Sequence, residues 1–93
     1  MEDGERYQRS VRAVSANVDG EEILLDSEVG VYFSLNEVAS DVWQLLEKPA
    51  TLSELVAGVC DIYEIDEAAC RKALIDLIED LRKHRLIESQ PVS

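Results

Sequence analysis

Ile23-Leu24-Leu25-Asp26-Ser27-Glu28-Val29-Gly30-Val31-Tyr32-Phe33-Ser34-Leu35-Asn36 is the stretch on which the fold turns. Two short apolar runs flank a turn-forming centre, Asp26 to Gly30. In the second run Val31, Phe33 and Leu35 share one side of an extended chain and Tyr32 and Ser34 the other, the period of a strand with one covered face. Upstream, Asp19-Gly20 is a hairpin signal between Glu22 to Leu25 and a loosely alternating run from Arg9 to Val18, where Arg12 stands against Val11 and Ala13. Three runs joined by two tight turns predict an antiparallel meander with Val31 to Leu35 as its last strand.

After Asn36 the period changes. Val38, Ala39, Val42, Trp43 and Leu46 recur at helical spacing behind a cap at Ser34 or Asn36, and this helix ends near Lys48-Pro49. Thr51-Leu52-Ser53-Glu54 has the order of a capping box, with Leu52, Leu55, Val56 and Val59 behind it, so a second helix runs to about Tyr63. Asp66 caps a third, whose Cys70, Ala73, Leu74, Leu77 and Leu81 make the core face and whose Arg82, Lys83 and Arg85 suit the negative end of its dipole, up to about His84. Leu86-Ile87-Glu88 reads as a short extended piece. Residues 1–8 and 89–93, polar or charged, read as flexible tails around a domain over residues 9–88.

The 93 residues leave room for one core, and a hydrophobic fraction of 46% is that of a folded chain. Twenty acidic against nine basic residues give a formal charge of -11, which repels the phosphates a nucleic-acid binder must neutralise. No apolar run approaches the roughly 20 residues needed to span a bilayer. Met1 to Glu5 are acidic where a signal peptide is basic, so the expectation is a cytoplasmic protein with no membrane partner. Cys60 and Cys70 lie in apolar-periodic helices without metal-ligand spacing and read as reduced core thiols. The single histidine, His84, stands at a helix end, and the four glycines are scattered rather than gathered in a phosphate loop. No catalytic group, metal site or cofactor is expected.

The informative features are geometric. A last strand has one edge without a partner, and such an edge can receive an extended peptide by main-chain hydrogen bonds; the plainer reading is that Leu86-Ile87 or a loop covers it. On the third helix Arg71, Ile75, Ile78 and Arg82 form a stripe, two apolar residues between two cations. That stripe fits a peptide groove, or else it widens the core face with ordinary flanking charges. Tyr32 has the same two readings, and Trp43 is assigned to the core.

The order strand, strand, strand, helix, helix, helix, with Ile23-Leu24-Leu25-Asp26 leading through Glu28-Val29-Gly30 to Tyr32-Phe33-Ser34-Leu35-Asn36 and then to Val42-Trp43-Gln44-Leu45-Leu46, resembles the PqqD-like family over roughly Val11 to Glu88. That family includes the recognition elements of ribosomally made, post-translationally modified peptides (RiPPs). The Thr-Leu-Ser-Glu-Leu-Val helix makes the chain most like the stand-alone recognition half of a split lasso-peptide maturation protein. The resemblance implies an α+β, winged helix-turn-helix-like fold, a three-stranded antiparallel sheet followed by three helices. It also implies a leader peptide added beside the third strand and against the third helix. Carried over by position, the peptide-binding residues are Val31, Tyr32, Phe33, Ser34 and Leu35 on the strand and Arg71, Leu74, Ile75, Ile78 and Arg82 on the helix, the two arginines pairing with leader carboxylates.

The implied partners are a precursor leader peptide, a separate leader peptidase of the transglutaminase-like cysteine protease type, and an asparagine-synthetase-like cyclase. Position 31, often basic or polar in such sequences, is valine here, which shifts polar recognition away from the strand's start. Three rival functions follow from the same residues. A PqqD-type peptide chaperone would serve a radical SAM enzyme, and a winged-helix regulator would place Arg71, Lys72, Arg82 and Lys83 on DNA phosphates. A subunit pairing with its own copy would make a strand-exchanged dimer in place of a monomer.

Overall fold

A computed structural model describes residues 4–91. The meander is present: β2 (Ala13–Val18), β3 (Glu21–Asp26) and β4 (Val31–Leu35) form an antiparallel sheet in that order. Asp19 and Gly20 both have positive φ, 54° and 86°, which a two-residue hairpin loop needs at both centres for its twist to match the strands. The longer turn after Asp26 closes with the Gly30 N–H donating to the Asp26 carbonyl at 2.7 Å, Gly30 at φ 74°. Arg12 donates two hydrogen bonds of 3.0 Å to the Asp26 carboxylate, which also accepts from the Glu28 N–H. This pairing holds Asp26 below the usual carboxylate range.

The helices start where capping chemistry places them. Asn36, rather than Ser34, caps α1 (Glu37–Leu45), its side-chain oxygen accepting the Ala39 N–H at 2.8 Å. The helix stops at Leu45, before Lys48-Pro49. Ala50–Thr51 then pairs briefly as β5, and α2 (Leu52–Ile62) begins with the reciprocal Thr51–Glu54 box. Asp66 caps α3 (Glu67–Lys83) through the Ala69 N–H. At the far end of α3, Arg85 takes the left-handed conformation (φ 61°), the Leu86 N–H reaches back to the Leu81 carbonyl and the Arg85 N–H to that of Arg82, a Schellman closure without the usual glycine. That turn aims Leu86 and Ile87 into the core.

Two segments depart from expectation. The run from Arg9 to Val18 is broken at Ser10 to Arg12, and Glu5–Arg9, of which residues 5–8 were expected as tail, is strand β1. It forms a second sheet, ordered β5-β1-β6, with Ile87–Pro91 as β6. The physical reason lies in long side chains. Tyr7 is buried at 7% exposure, and Arg9 lays its guanidinium 4.6 Å from the Trp43 ring centroid while its Nε donates to the Trp43 carbonyl at 3.1 Å. Trp43, Leu24, Leu46, Leu55, Leu74 and Leu86 fill the centre of the core between the sheets and helices. Residues 1–3 and 92–93, the remainder of the expected tails, lie outside the described residues. Among the described residues no helix is long and apolar enough to cross a membrane.

Candidate functional site

β3 pairs β4 along its whole length, Glu22 with Leu35 through Asp26 with Val31. The opposite edge of β4 has no partner among the described residues, because β6, the nearest candidate to cover it, pairs with β1 instead. The alternation seen in the sequence is realised from Tyr32 to Leu35, while Val31, expected on the covered face, is exposed at the strand's start. Phe33 and Leu35 turn inward against the core, while Tyr32 stands 70% exposed on the outer face in a row with Leu25 and Val14, and Val31 and Ser34 are exposed.

Two hollows that meet at Asn36 run along α3, one between it and the inner side of β4 and the other between it and α1. The narrower, about 180 Å3, lies between Phe33, Ser34 and Leu35 on the strand and Leu77, Asp80, Leu81 and His84 on the helix. His84 rests its ring on Phe33, centroids 4.6 Å apart and planes at 44°, and its Nε2 is 3.9 Å from Asp80. The wider hollow, about 380 Å3, is apolar; Val38, Ile65, Ala69, Ala73, Leu74 and Leu77 face it. Asn36 borders both. An unpaired strand edge beside one hollow, which meets a second and apolar hollow at Asn36, suits an extended peptide: the backbone is bound by pairing and side chains by burial.

The helix residues singled out from the sequence are largely on another side. Ile78 is core, at 3% exposure. Arg71 reaches Ser53 of α2 at 3.5 Å and Glu67 at 3.7 Å, and Arg82 lies 4.0 Å from Glu5 of β1. Ile75, between them on the same stripe, packs against the core and borders neither hollow. Of the five helix positions only Leu74 reaches the groove, as the floor of its wider hollow. The positions that border the hollows, Ala73, Leu77, Asp80 and His84, lie two residues along from Arg71, Ile75, Ile78 and Arg82, about 200° round the helix. The missed signal was size, since Ala69 and Ala73 are small side chains one turn apart beside exposed Ile65, and small residues leave a hollow where large ones fill it.

Two rival chemistries find no support in this geometry. Cys70 and His84 are 14 residues apart on one helix, about 21 Å along its axis. Burial, and then the neighbouring Cys60, push the Cys70 thiol up to about 11, the wrong direction for a nucleophile. Among the described residues no group of histidine, cysteine and acidic side chains converges to hold a metal ion.

An unpaired sheet edge backed by a helix-lined apolar groove defines the class of domains that accept an extended segment by strand addition. The family model of the coenzyme PQQ synthesis protein D (PqqD) matches residues 21–87, and the chain belongs to that family. Among solved structures, TbiB1 in complex with the TbiA(beta) leader peptide superposes with a TM-score of 0.79 at 35% identity, covering 87% of this chain and 94% of that one. A lasso peptide synthetase B1 complexed with its leader peptide superposes with a TM-score of 0.76, covering 88% and 96%; at 19% identity it speaks for the fold alone. No curated protein matches the chain.

Proposed function

We propose that this chain is a non-catalytic RiPP recognition element that binds the leader of a precursor peptide as an added strand on β4. The observation that carries the reading is the open β4 edge beside the hollow between β4 and α3, in a chain similar to TbiB1, which is seen with a leader peptide. Backbone pairing along Val31 to Leu35 sets register. Leader side chains enter the hollows between Phe33 or Leu35 and Leu77 and beside Ala73, and these supply most of the discrimination. The product class is a lasso peptide, a reading that rests on the resemblance carried by the helix Thr51-Leu52-Ser53-Glu54-Leu55-Val56, in preference to a PqqD-type role beside a radical SAM enzyme. In the cytoplasm the bound precursor passes to a separate leader peptidase of the transglutaminase-like type and then to an asparagine-synthetase-like cyclase. Arg71 and Arg82, paired at the surface with Glu67 and Glu5, are given no part in leader binding by this reading.

The test is a fluorescence-polarisation titration of labelled leader from the precursor gene adjacent to this chain's gene. Saturable binding between micromolar and nanomolar, about -8 to -12 kcal/mol, is expected. Proline placed at alternate leader positions removes donors to the β4 edge and abolishes binding at those positions only. A leader that does not bind, or binds equally well with every proline, refutes strand addition.

A further inference from the structure

Where β4 passes into α1, the inner face of the sheet closes over a third cavity, of about 390 Å3. Four carboxylates line it, Glu21, Glu22, Glu37 and Asp41, with Asn36 and Ser40 and without any cation. Glu22 is the decisive member. It is 8% exposed, and among the described residues neither a hydrogen bond nor an ion pair reaches its carboxylate. The arginines that do pair lie elsewhere, Arg12 on Asp26 and Glu28, Arg71 on Glu67 and Arg82 on Glu5. The Asn36 side chain is already occupied with the Ala39 N–H. The side chain is largely covered, its oxygens stay open to the cavity, and no counter-charge among the described residues meets them, so a cation entering the cavity finds an unpaired carboxylate. The field of the cluster is felt next door: Tyr63 donates to Asp41, and its hydroxyl is pushed up to about 12 by that bond, by burial and by the charges of Asp41 and Glu37.

The cavity adjoins the groove, since Leu35 and Asn36 border both. We propose that it receives one basic side chain, lysine or arginine, of the precursor peptide, from the part of the peptide that passes Leu35 and Asn36. This rests on the leader reading above and reverses the charge the sequence suggested for the ligand. The carboxylates are spread around a cavity, and no grouping among the described residues suits a metal ion, so an organic cation carried on a flexible stem fits where a coordinated metal ion does not.

Two measurements test it. In 15N-resolved titrations with ethylguanidinium chloride, at ionic strength held with sodium chloride, the amides of Gly20, Glu21, Glu37 and Ser40 shift and saturate in the millimolar range. Glu22→Gln weakens that binding at least fivefold. Shifts spread over the whole surface, or unchanged in Glu22→Gln, overturn the pocket. With the adjacent precursor's leader, each lysine and arginine is replaced in turn by a neutral analogue. One position loses about tenfold in affinity in the wild-type protein but no more than twofold in Glu22→Gln, the signature of a coupled pair. Additive losses at every position, or a tightly binding leader with no basic residue, overturn the proposal while leader binding stands. Failure of the wild-type protein to bind the leader at all refutes the leader reading itself, and with it the assignment of the cation to the precursor.

Discussion

Replacing Ala73 by phenylalanine tests which side of α3 receives the leader. Ala73 is exposed and borders the 380 Å3 hollow opposite Val38 and beside Ile65 and Leu77. A ring there occupies the hollow from the solvent side and leaves Cys70 and Leu74 behind it in place. A leader side chain that buries about 120 Å2 of apolar surface in the hollow contributes about 3 kcal/mol at ~25 cal/mol per Å2. With about 1.4 kcal/mol per tenfold, its exclusion weakens binding by about a hundredfold, reduced towards thirtyfold because the ordering of that side chain is no longer required. The substitution costs the helix only about 0.5 kcal/mol in propensity, so unfolding midpoints stay within a few degrees of wild type. Polarisation titrations of the labelled leader read the affinity, with Arg71→Ala and Arg82→Ala as partners in the comparison; both should change it less than threefold. An Ala73→Phe protein that binds normally, together with arginine variants that lose tenfold or more, would place the peptide on the Arg71, Ile75, Ile78, Arg82 stripe and refute the groove.

Three further outcomes are expected. Arg85→Gly relieves the left-handed residue of the Schellman turn and stabilises the protein by about 0.5–1 kcal/mol in urea unfolding, against the usual penalty for glycine; a loss of stability would mean that the Arg85 side chain matters more than its backbone. Cys70, held up to about 11, stays unmodified by iodoacetamide at pH 8 in the native protein and reacts as urea unfolds it, so rapid native alkylation at that position contradicts its burial. Tyr63 keeps its proton to about 12 when folded against about 10 unfolded, so its stabilisation is complete below pH 10 and disappears between pH 10 and 12; the phenolate absorbance lost in Tyr63→Phe should titrate in that window, and a midpoint near 10 would refute the Asp41 bond.

How far the fold could be read depended on what kind of side chain made each contact. The meander was legible because Val31, Phe33 and Leu35 alternate with Tyr32 and Ser34 and because Asp19-Gly20 can adopt positive φ. The helix starts were legible from Thr51 with Glu54 and from Asp66, where the capping side chain is itself the cause. β1 was hidden because Glu5–Arg9 holds a single apolar residue, Tyr7, and is secured by guanidinium and amide groups whose aliphatic stems no periodicity registers. In the groove, β4 could be named and the α3 side could not. Neighbouring helix positions are 100° apart, and Leu77 and Ile78 are equally apolar. Which of them faces the strand depends on how α3 seats against α2 and β6, a tertiary matter reflected in the burial of Cys70, Leu74, Ile78 and Leu81. The inference that β6 might close the β4 edge failed for the same reason, since its partner β1 had not been recognised as a strand.

Asn36 has a consequence beyond ending the strand and starting α1. Its amide oxygen holds the Ala39 N–H at 2.8 Å while the residue borders all three cavities. A guest in any of them should therefore be felt at the clasp that keeps the first turn of α1 wound, and amide exchange with and without peptide checks it. Occupancy is thereby written into the solvent exchange of one amide, Ala39, which slows when the clasp is braced and quickens when it is pulled aside. The start of an ordinary helix becomes a built-in gauge of whether the domain is carrying its cargo, readable without labelling the peptide.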